Sequence, residues 1–200
     1  MSSADQVRDL PLSVPQERGD AARNRVLLLD AARRLIAQRG ADAVTMDDIA
    51  GAAGVGKGTV FRRFGSRAGL MMVLLDEDEQ ASQQAFMFGP PPLGPGAPPL
   101  DRLLAFGHAR LRFAHTHREL LVAANRDPQS RFAAPMMVLH THVRMLLATA
   151  GTTGDLDAQT AALLMLLEAD YVEHQLTERD RSLQALGEAW ESLARKLCGR

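Results

Sequence analysis

The stretch Thr45–Phe64 reads TMDDIAGAAGVGKGTVFRRF, two short helical segments broken at a glycine. This constrains the chain more than any other feature. The Thr45 hydroxyl is placed to accept an orphan backbone N–H at a helix start, and Asp48, three residues on, to reach back in a capping box. Ile49, Ala50 and Ala53 fall on one face and are small enough to let a second helix cross closely. Gly54 supplies the corner, where a left-handed backbone is least costly without a Cβ. Val55 and Val60 then pin the second segment, which contains no acid and carries Lys57, Arg62 and Arg63. Such a helix-turn-helix, with a basic second helix free at its start to face a groove, points at DNA.

Charge distribution agrees. The whole chain carries a formal −1, an unpromising value for a polyanion's partner. Between Ala21 and Leu70, however, nine basic residues face four acids, a net of +5, which leaves −6 for the remainder. The pattern is that of a basic reading head on an acidic body; taken alone, the same arginines serve equally well as solvated helix faces. Two hundred residues, 46% of them hydrophobic, suffice for one large or two small domains with a real core. Stretches rich in Ala, Leu, Glu, Gln and Arg, with few β-branched runs, predict an all-α fold. The single cysteine, Cys198, excludes an internal disulfide framework and fits a reducing cytoplasm. No apolar run approaches the roughly 18 residues of a membrane span. The first twenty or so residues are polar, hold Pro11 and Pro15, lack a signal-peptide core and are expected to form a flexible arm.

Along the chain, Leu28, Ala32, Leu35 and Ile36 form one stripe of a helix near Asn24–Arg39 that ends at Gly40. Ser66 is a candidate cap for a helix continuing through LMMVLLDEDEQASQQAF. The run Gly89–Pro99, GPPPLGPGAPP, marks a joint. Helices are expected near 100–115, 117–126, 130–150, 155–178 and 180–198, punctuated by Asp127-Pro128 and Gly151–Gly154. The expected organisation is an arm at 1–21, a DNA-binding domain at 22–80 with its motif at about 45–64, and a helical domain at 81–200.

From Arg25 onward the sequence LLLDAARRLIAQRGADAVTMDDIAGAAGVGKGTVFRRFGSRAGL resembles the DNA-binding domain of the tetracycline-repressor-like (TetR) family of transcriptional regulators. The likeness spans roughly residues 22–80. It includes the DAA…G stretch, the threonine opening the second helix, the IA…AGV turn, the KGT…F recognition helix and the basic start of the fourth helix. The C-terminal half is similar in architecture only. Two positions depart from the family pattern. Gly56 stands where Ser or Thr often caps the recognition helix, and Asp47 and Asp48 put acid in the second helix, where a basic residue often faces phosphate.

The resemblance implies roles. Thr45 and Lys57 become phosphate contacts. Gly58 lets the backbone approach DNA, and Thr59 touches a phosphate or base edge. Phe61 lies against sugar or a thymine methyl, while Val60 and Phe64 belong to the core. Arg62 is the candidate base reader, since a guanidinium bridges guanine O6 and N7. Arg63 reads a base, grips phosphate or is a solvated helix-end charge, and Arg67 is a phosphate clamp. One short helix supplies too little affinity alone, so a homodimer on a palindromic operator is expected. Its seam would be Leu183, Leu186, Trp190 and Leu193 with Leu164, Leu167 and Tyr171, the alternative being that this stripe is internal core. The family further implies an unidentified small-molecule effector bound among the C-terminal helices. Phe106, Phe113, Met137, His140, Met165 and Glu168 are the candidate lining, though methionines at helical spacing equally make ordinary core.

Catalytic and metal constellations are lacking in the sequence. His115/His117 and His140/His142 are two apart, so helical geometry sends each pair to different faces rather than to one ion. GVGKGT lacks the strand and the spacing of a phosphate-binding loop. The expected molecule is an all-α dimeric regulator without cofactor or metal, most simply a ligand-released repressor and not an enzyme. Two other readings remain: a helical small-molecule carrier or enzyme with an incidental basic head, and a non-specific architectural DNA protein with a steep salt dependence.

Overall fold

A computed structural model of the chain describes residues 15–118, 121 and 134–199. Among them are nine helices and no strands: α1 (Pro15–Arg39), α2 (Met46–Ala53), α3 (Lys57–Phe64), α4 (Arg67–Phe88), α5 (Pro99–Thr116), α6 (Ala134–Thr149), α7 (Leu156–Met165), α8 (Ala169–Thr177) and α9 (Leu183–Leu197). The helix expected at 117–126 and the start of the one expected at 130–150 lie largely outside the described residues. The chain divides into two compact units, with the boundary between Leu74 and Leu75 inside α4.

In the N-terminal unit, Leu28, Leu29, Ala31, Ala32 and Leu35 make the buried stripe of α1. α2 packs on α1, and α3 on α2. The helix begins at Pro15, nine positions before the expected Asn24. Proline is at home in a first helical turn, where its missing N–H leaves no bond unmade. Reading Pro15 as part of a loose arm gave too little weight to the helix-forming residues that follow it.

The C-terminal unit is built around α5, which packs against α6, α8 and α9. Trp190 of α9 is 2% exposed, and its indole Nε1 donates to the Leu163 carbonyl at 3.0 Å. Its ring lies so close to Gly107 of α5 that a Cβ there would fall 2.3 Å from it. The reverse arrangement recurs one turn earlier on α9, where a Cβ on Gly187 would come within 2.8 Å of His108. The two glycines thus let α5 and α9 approach with a large aromatic between them. α4 is tied to α5 within this unit by the largely buried Arg110–Glu79 ion pair at 2.8 Å and by His117 on Asp78 at 2.9 Å.

One expected helix proves to be two. The 155–178 segment breaks after Met165, and the chain turns extended at Glu168 (φ −66°, ψ 140°) before α8 begins. The break lets α7 pack on α6 while α8 packs on α5, which one straight rod could not do. The apolar run LLMLL conceals it, holding neither glycine nor proline. At Gly107, substitution by alanine should destabilise the fold by about 2–3 kcal/mol through overpacking. Urea unfolding followed by Trp190 fluorescence measures it, and an unchanged midpoint would refute the close α5–α9 contact.

Candidate nucleic-acid interface and effector cavity

The N-terminal site is a prefolded corner. Thr45 caps α2 as its sequence requires: its Oγ1 accepts from the Asp48 N–H at 3.1 Å, and the Asp48 carboxylate accepts from the Thr45 N–H at 3.0 Å and hydroxyl at 2.6 Å. These Thr45 bonds, first its hydroxyl's and then its backbone's, hold the Asp48 carboxyl below its ordinary range, with Arg39 adding a smaller pull. Gly54 ends α2 in the left-handed region at φ 67°, and the Val55 N–H closes the turn on the Ala50 carbonyl at 3.0 Å. Gly56 starts α3 without a side-chain cap, and its carbonyl accepts from the Thr59 N–H at 2.9 Å.

α3 then divides cleanly by face. Val60 and Phe64 are buried, while Gly58, Arg62 and Arg63 are exposed, Thr59 is half-buried and Phe61 is 41% exposed. Neither Arg62 nor Arg63 makes a hydrogen bond or ion pair among the described residues. Lys57 differs: its ammonium lies 2.7 Å from Asp47 Oδ2 and 5.9 Å from the Phe61 ring centroid. The acid that departs from the family pattern therefore holds the lysine expected to grip phosphate. This acid is the residue of the interface whose role the sequence reading left incomplete; its signal was an unmatched carboxylate in a basic segment.

Arg67 also has a role within the fold. Its Nε donates to the Val44 carbonyl at 3.0 Å and its Nη2 to the Ala41 carbonyl, with Asp42 3.7 Å away. Two of its three nitrogens pin the 41–44 loop to the start of α4, a structural role beside the phosphate contact expected of it. Ser66 does cap α4, accepting from the Gly69 N–H at 3.1 Å.

In the C-terminal unit an apolar cavity of about 520 Å³ lies among α4, the loop after it, α5 and α6. Phe86, Met87, Phe88, Met137 and Met145 supply much of its wall, with Arg102 and His142 among the polar lining. Of the candidate lining residues only Met137 belongs to it. Phe106 is fully buried behind His142, their ring centroids 5.3 Å apart. Phe113 stacks on His117 at 4.2 Å, Met165 is 67% exposed elsewhere, and Glu168 borders a separate small recess with Arg110. His140 lies outside the cavity, whereas His142 is 6% exposed on the buried face of α6. Leu139 and Leu146, three and four residues away on that face, were the sequence signal that favoured His142 over His140.

Burial, and to a lesser degree Arg102, push the His142 imidazole down to about 4, so it is neutral near pH 7. Its Nε2 and the Nε of Arg102 are buried without a hydrogen-bond partner, each an expense of about 1–3 kcal/mol if left so.

The expected dimer seam is also redistributed. Leu164, Leu167, Leu186 and Trp190 are buried within the single chain, so Trp190 anchors the protomer itself and offers a partner almost no surface. Tyr171, Leu183 and Leu193 keep partly exposed faces. Among the described residues no group of acids, histidines or cysteine is arranged to hold a metal ion, and no helix is long and apolar enough to cross a membrane.

The Asp47–Lys57 pair makes a direct prediction. Asp47→Asn should free the ammonium for phosphate, tighten duplex binding several-fold and steepen the log K against log salt slope by about 0.9. Fluorescence anisotropy across a salt series measures both. An unchanged slope would mean that Asp47 does not withhold Lys57 from phosphate.

Residues 28–72 match the family model of the bacterial regulatory proteins, tetR family. No curated protein sequence gives a significant match. Among solved structures, the fold is similar to that of a putative transcriptional regulator from Saccharomonospora viridis in complex with choline, at TM-score 0.66 and 20% identity over 86% of this chain and 95% of that one. It is also similar to a TetR-like transcriptional regulator from Rhodococcus sp., at TM-score 0.58 and 24% identity over 96% and 100%. A third similar structure is RolR with its ligand resorcinol, at TM-score 0.58 and 20% identity over 91% and 96%. The match at 28–72 covers the capped corner and the whole of α3, and the likeness of fold extends over the helices that follow. Residues 28–72 thus match the N-terminal domain model of the tetR family, and the chain as a whole shares the fold of these solved structures.

Proposed function

We propose that this regulator is a cytoplasmic homodimeric repressor that binds a palindromic operator and is released from it by a small organic effector. The observation that carries the DNA-reading part is the two-faced α3: Val60 and Phe64 are locked inside, while Arg62 and Arg63 stand exposed and unpaired among the described residues. Arg62 reads guanine in the major groove, Arg63 reads an adjacent base or grips phosphate, and Thr45, Lys57, Gly58, Thr59 and Phe61 supply backbone and sugar contacts.

Two such heads set at about 34–36 Å would read two half-sites on one face of the duplex. The partly exposed faces of Tyr171, Leu183 and Leu193 are the proposed seam, with Leu164, Leu167, Leu186 and Trp190 as its rigid backing. The cavity walled by Phe86, Met137 and Met145 is the proposed effector site; choline and resorcinol in two proteins of like fold support small organic molecules as the class. An effector releases DNA only to the extent that it binds the released state more tightly than the bound one.

The reading is tested by selecting bound sequences from a random duplex library with the purified protein. A palindrome should emerge, and Arg62→Ala should blur one position in each half, at a cost of about 1–3 kcal/mol per lost bidentate contact. Equal loss of affinity for every sequence would remove Arg62 as a reader. Failure of the folded protein to enrich any motif would favour the alternative, a helical small-molecule carrier or enzyme whose basic head is incidental.

A further inference from the structure

We propose that the cavity selects an apolar organic acid, its carboxylate held by Arg102 and His142 and its body by the surrounding phenyl and thioether groups. This rests on the reading of the cavity as the effector site and names the chemical class that the site accepts.

Three observations converge. Arg102 is the single charged residue among the described lining, and no acid lines the cavity with it. It makes no ion pair among the described residues; its Nη2 donates at 3.3 Å to the Phe86 carbonyl, while its Nε, which is only ever a donor, is buried without an acceptor. A guanidinium in a largely apolar wall thus has one neutral partner and a spare donor. It is the residue suited to carboxylate by charge and by its planar fork.

The second observation is His142. Its imidazole lies between Phe86, at 4.4 Å, and Phe106, at 5.3 Å, and its Nε2 is also buried and unpartnered. As a neutral ring in the Nε2–H form it donates to the second carboxylate oxygen without adding another charge to be desolvated. The hydroxyl of Thr141, the other polar side chain of the lining, is already spent on the Met137 carbonyl at 2.8 Å. The unused donors in the wall are therefore two nitrogens, of Arg102 and His142, and the Thr141 oxygen retains only acceptor capacity.

The third is the rest of the wall. Met87, Phe88, Met137 and Met145 stand exposed around the open mouth of the cavity, and the three thioethers are flexible and polarizable enough to fit chains or rings of varied outline. A volume of about 520 Å³ suits a molecule of drug-like size. A cationic ligand would meet Arg102 in a wall with no compensating acid. A neutral amide forgoes the charge pairing with Arg102 and turns one N–H-bearing end towards the two nitrogen donors, with only the Thr141 oxygen in the lining side chains to accept from it.

Calorimetric titration of the full-length protein with matched pairs tests this: 4-phenylbutyrate against 4-phenylbutyramide, cinnamate against cinnamamide and octanoate against octanamide, with choline as the cation. The acids should bind at least tenfold more tightly than their amides, and choline should not bind. Arg102→Gln should erase the preference while leaving amide affinity within about threefold, and His142→Phe, which keeps the aromatic stack, should weaken the acids alone. The proposal is overturned if amides or choline bind as well as the acids, if no acid binds, or if folded Arg102→Gln keeps the preference. Should Arg102→Gln fail to fold by circular dichroism, the wild-type pairs and His142→Phe decide. Operator affinity measured alongside separates the two claims, since acids that bind without changing it overturn the effector role and leave the ligand class standing.

Discussion

The face that α3 presents, proposed to read DNA, depends on the burial of Val60 and Phe64. Each is worth roughly 1.5–3 kcal/mol of apolar transfer, and together they fix the rotation of an eight-residue helix far too short to be stable alone. With those two positions inside, Arg62 and Arg63 have nowhere to go but outward. The Gly54 corner and the Thr45–Asp48 cap set the angle at which α3 leaves α2, so specificity in this unit begins as a packing problem. Asp47 and Arg67 act on the same frame: one pairs with the Lys57 ammonium, and the other holds the 41–44 loop to the start of α4.

The C-terminal unit shows the same economy with a different anchor. Trp190 fills the space left by Gly107 and satisfies its indole N–H on Leu163, joining α9, α5 and α7 through one side chain. The cavity is a different environment. Its aromatic and thioether wall is completed by polar groups whose hydrogen bonds are unfinished, which in an interior is either a cost or a vacancy for a partner. Gln159 Oε1 and Thr160 Oγ1 are likewise buried without a partner elsewhere in this unit, but among the described residues only at the cavity do two such atoms line open space together.

How much of this was legible in the sequence follows from how local each determinant is. The corner was legible because its signals lie within a few residues: Thr45 and Asp48 three apart, one glycine at the turn, two apolar residues four apart on α3. The all-α class followed from composition and periodicity. The loop-holding role of Arg67 was not legible because its partners, the Ala41 and Val44 carbonyls, are backbone atoms that carry no sequence signature. Trp190 was placed at a partner's surface because an apolar stripe does not declare which neighbour covers it. The break between α7 and α8 escaped notice because tertiary packing, not a breaker residue, makes it. The cavity was the hardest to foresee: its wall comes from segments some fifty residues apart, and only the helical register of Leu139, His142 and Leu146 distinguished His142 from His140.

Hydrogen exchange with and without a bound duplex, resolved to short peptides, tests the central claim most directly. If a prefolded α2–α3 corner presents the reading face, exchange should slow on DNA binding at the start of α2 and through Gly56–Arg63, with the Val60 and Phe64 amides already slow in the free protein. Protection confined to other segments, or fast exchange across α3 before DNA is added, would contradict it.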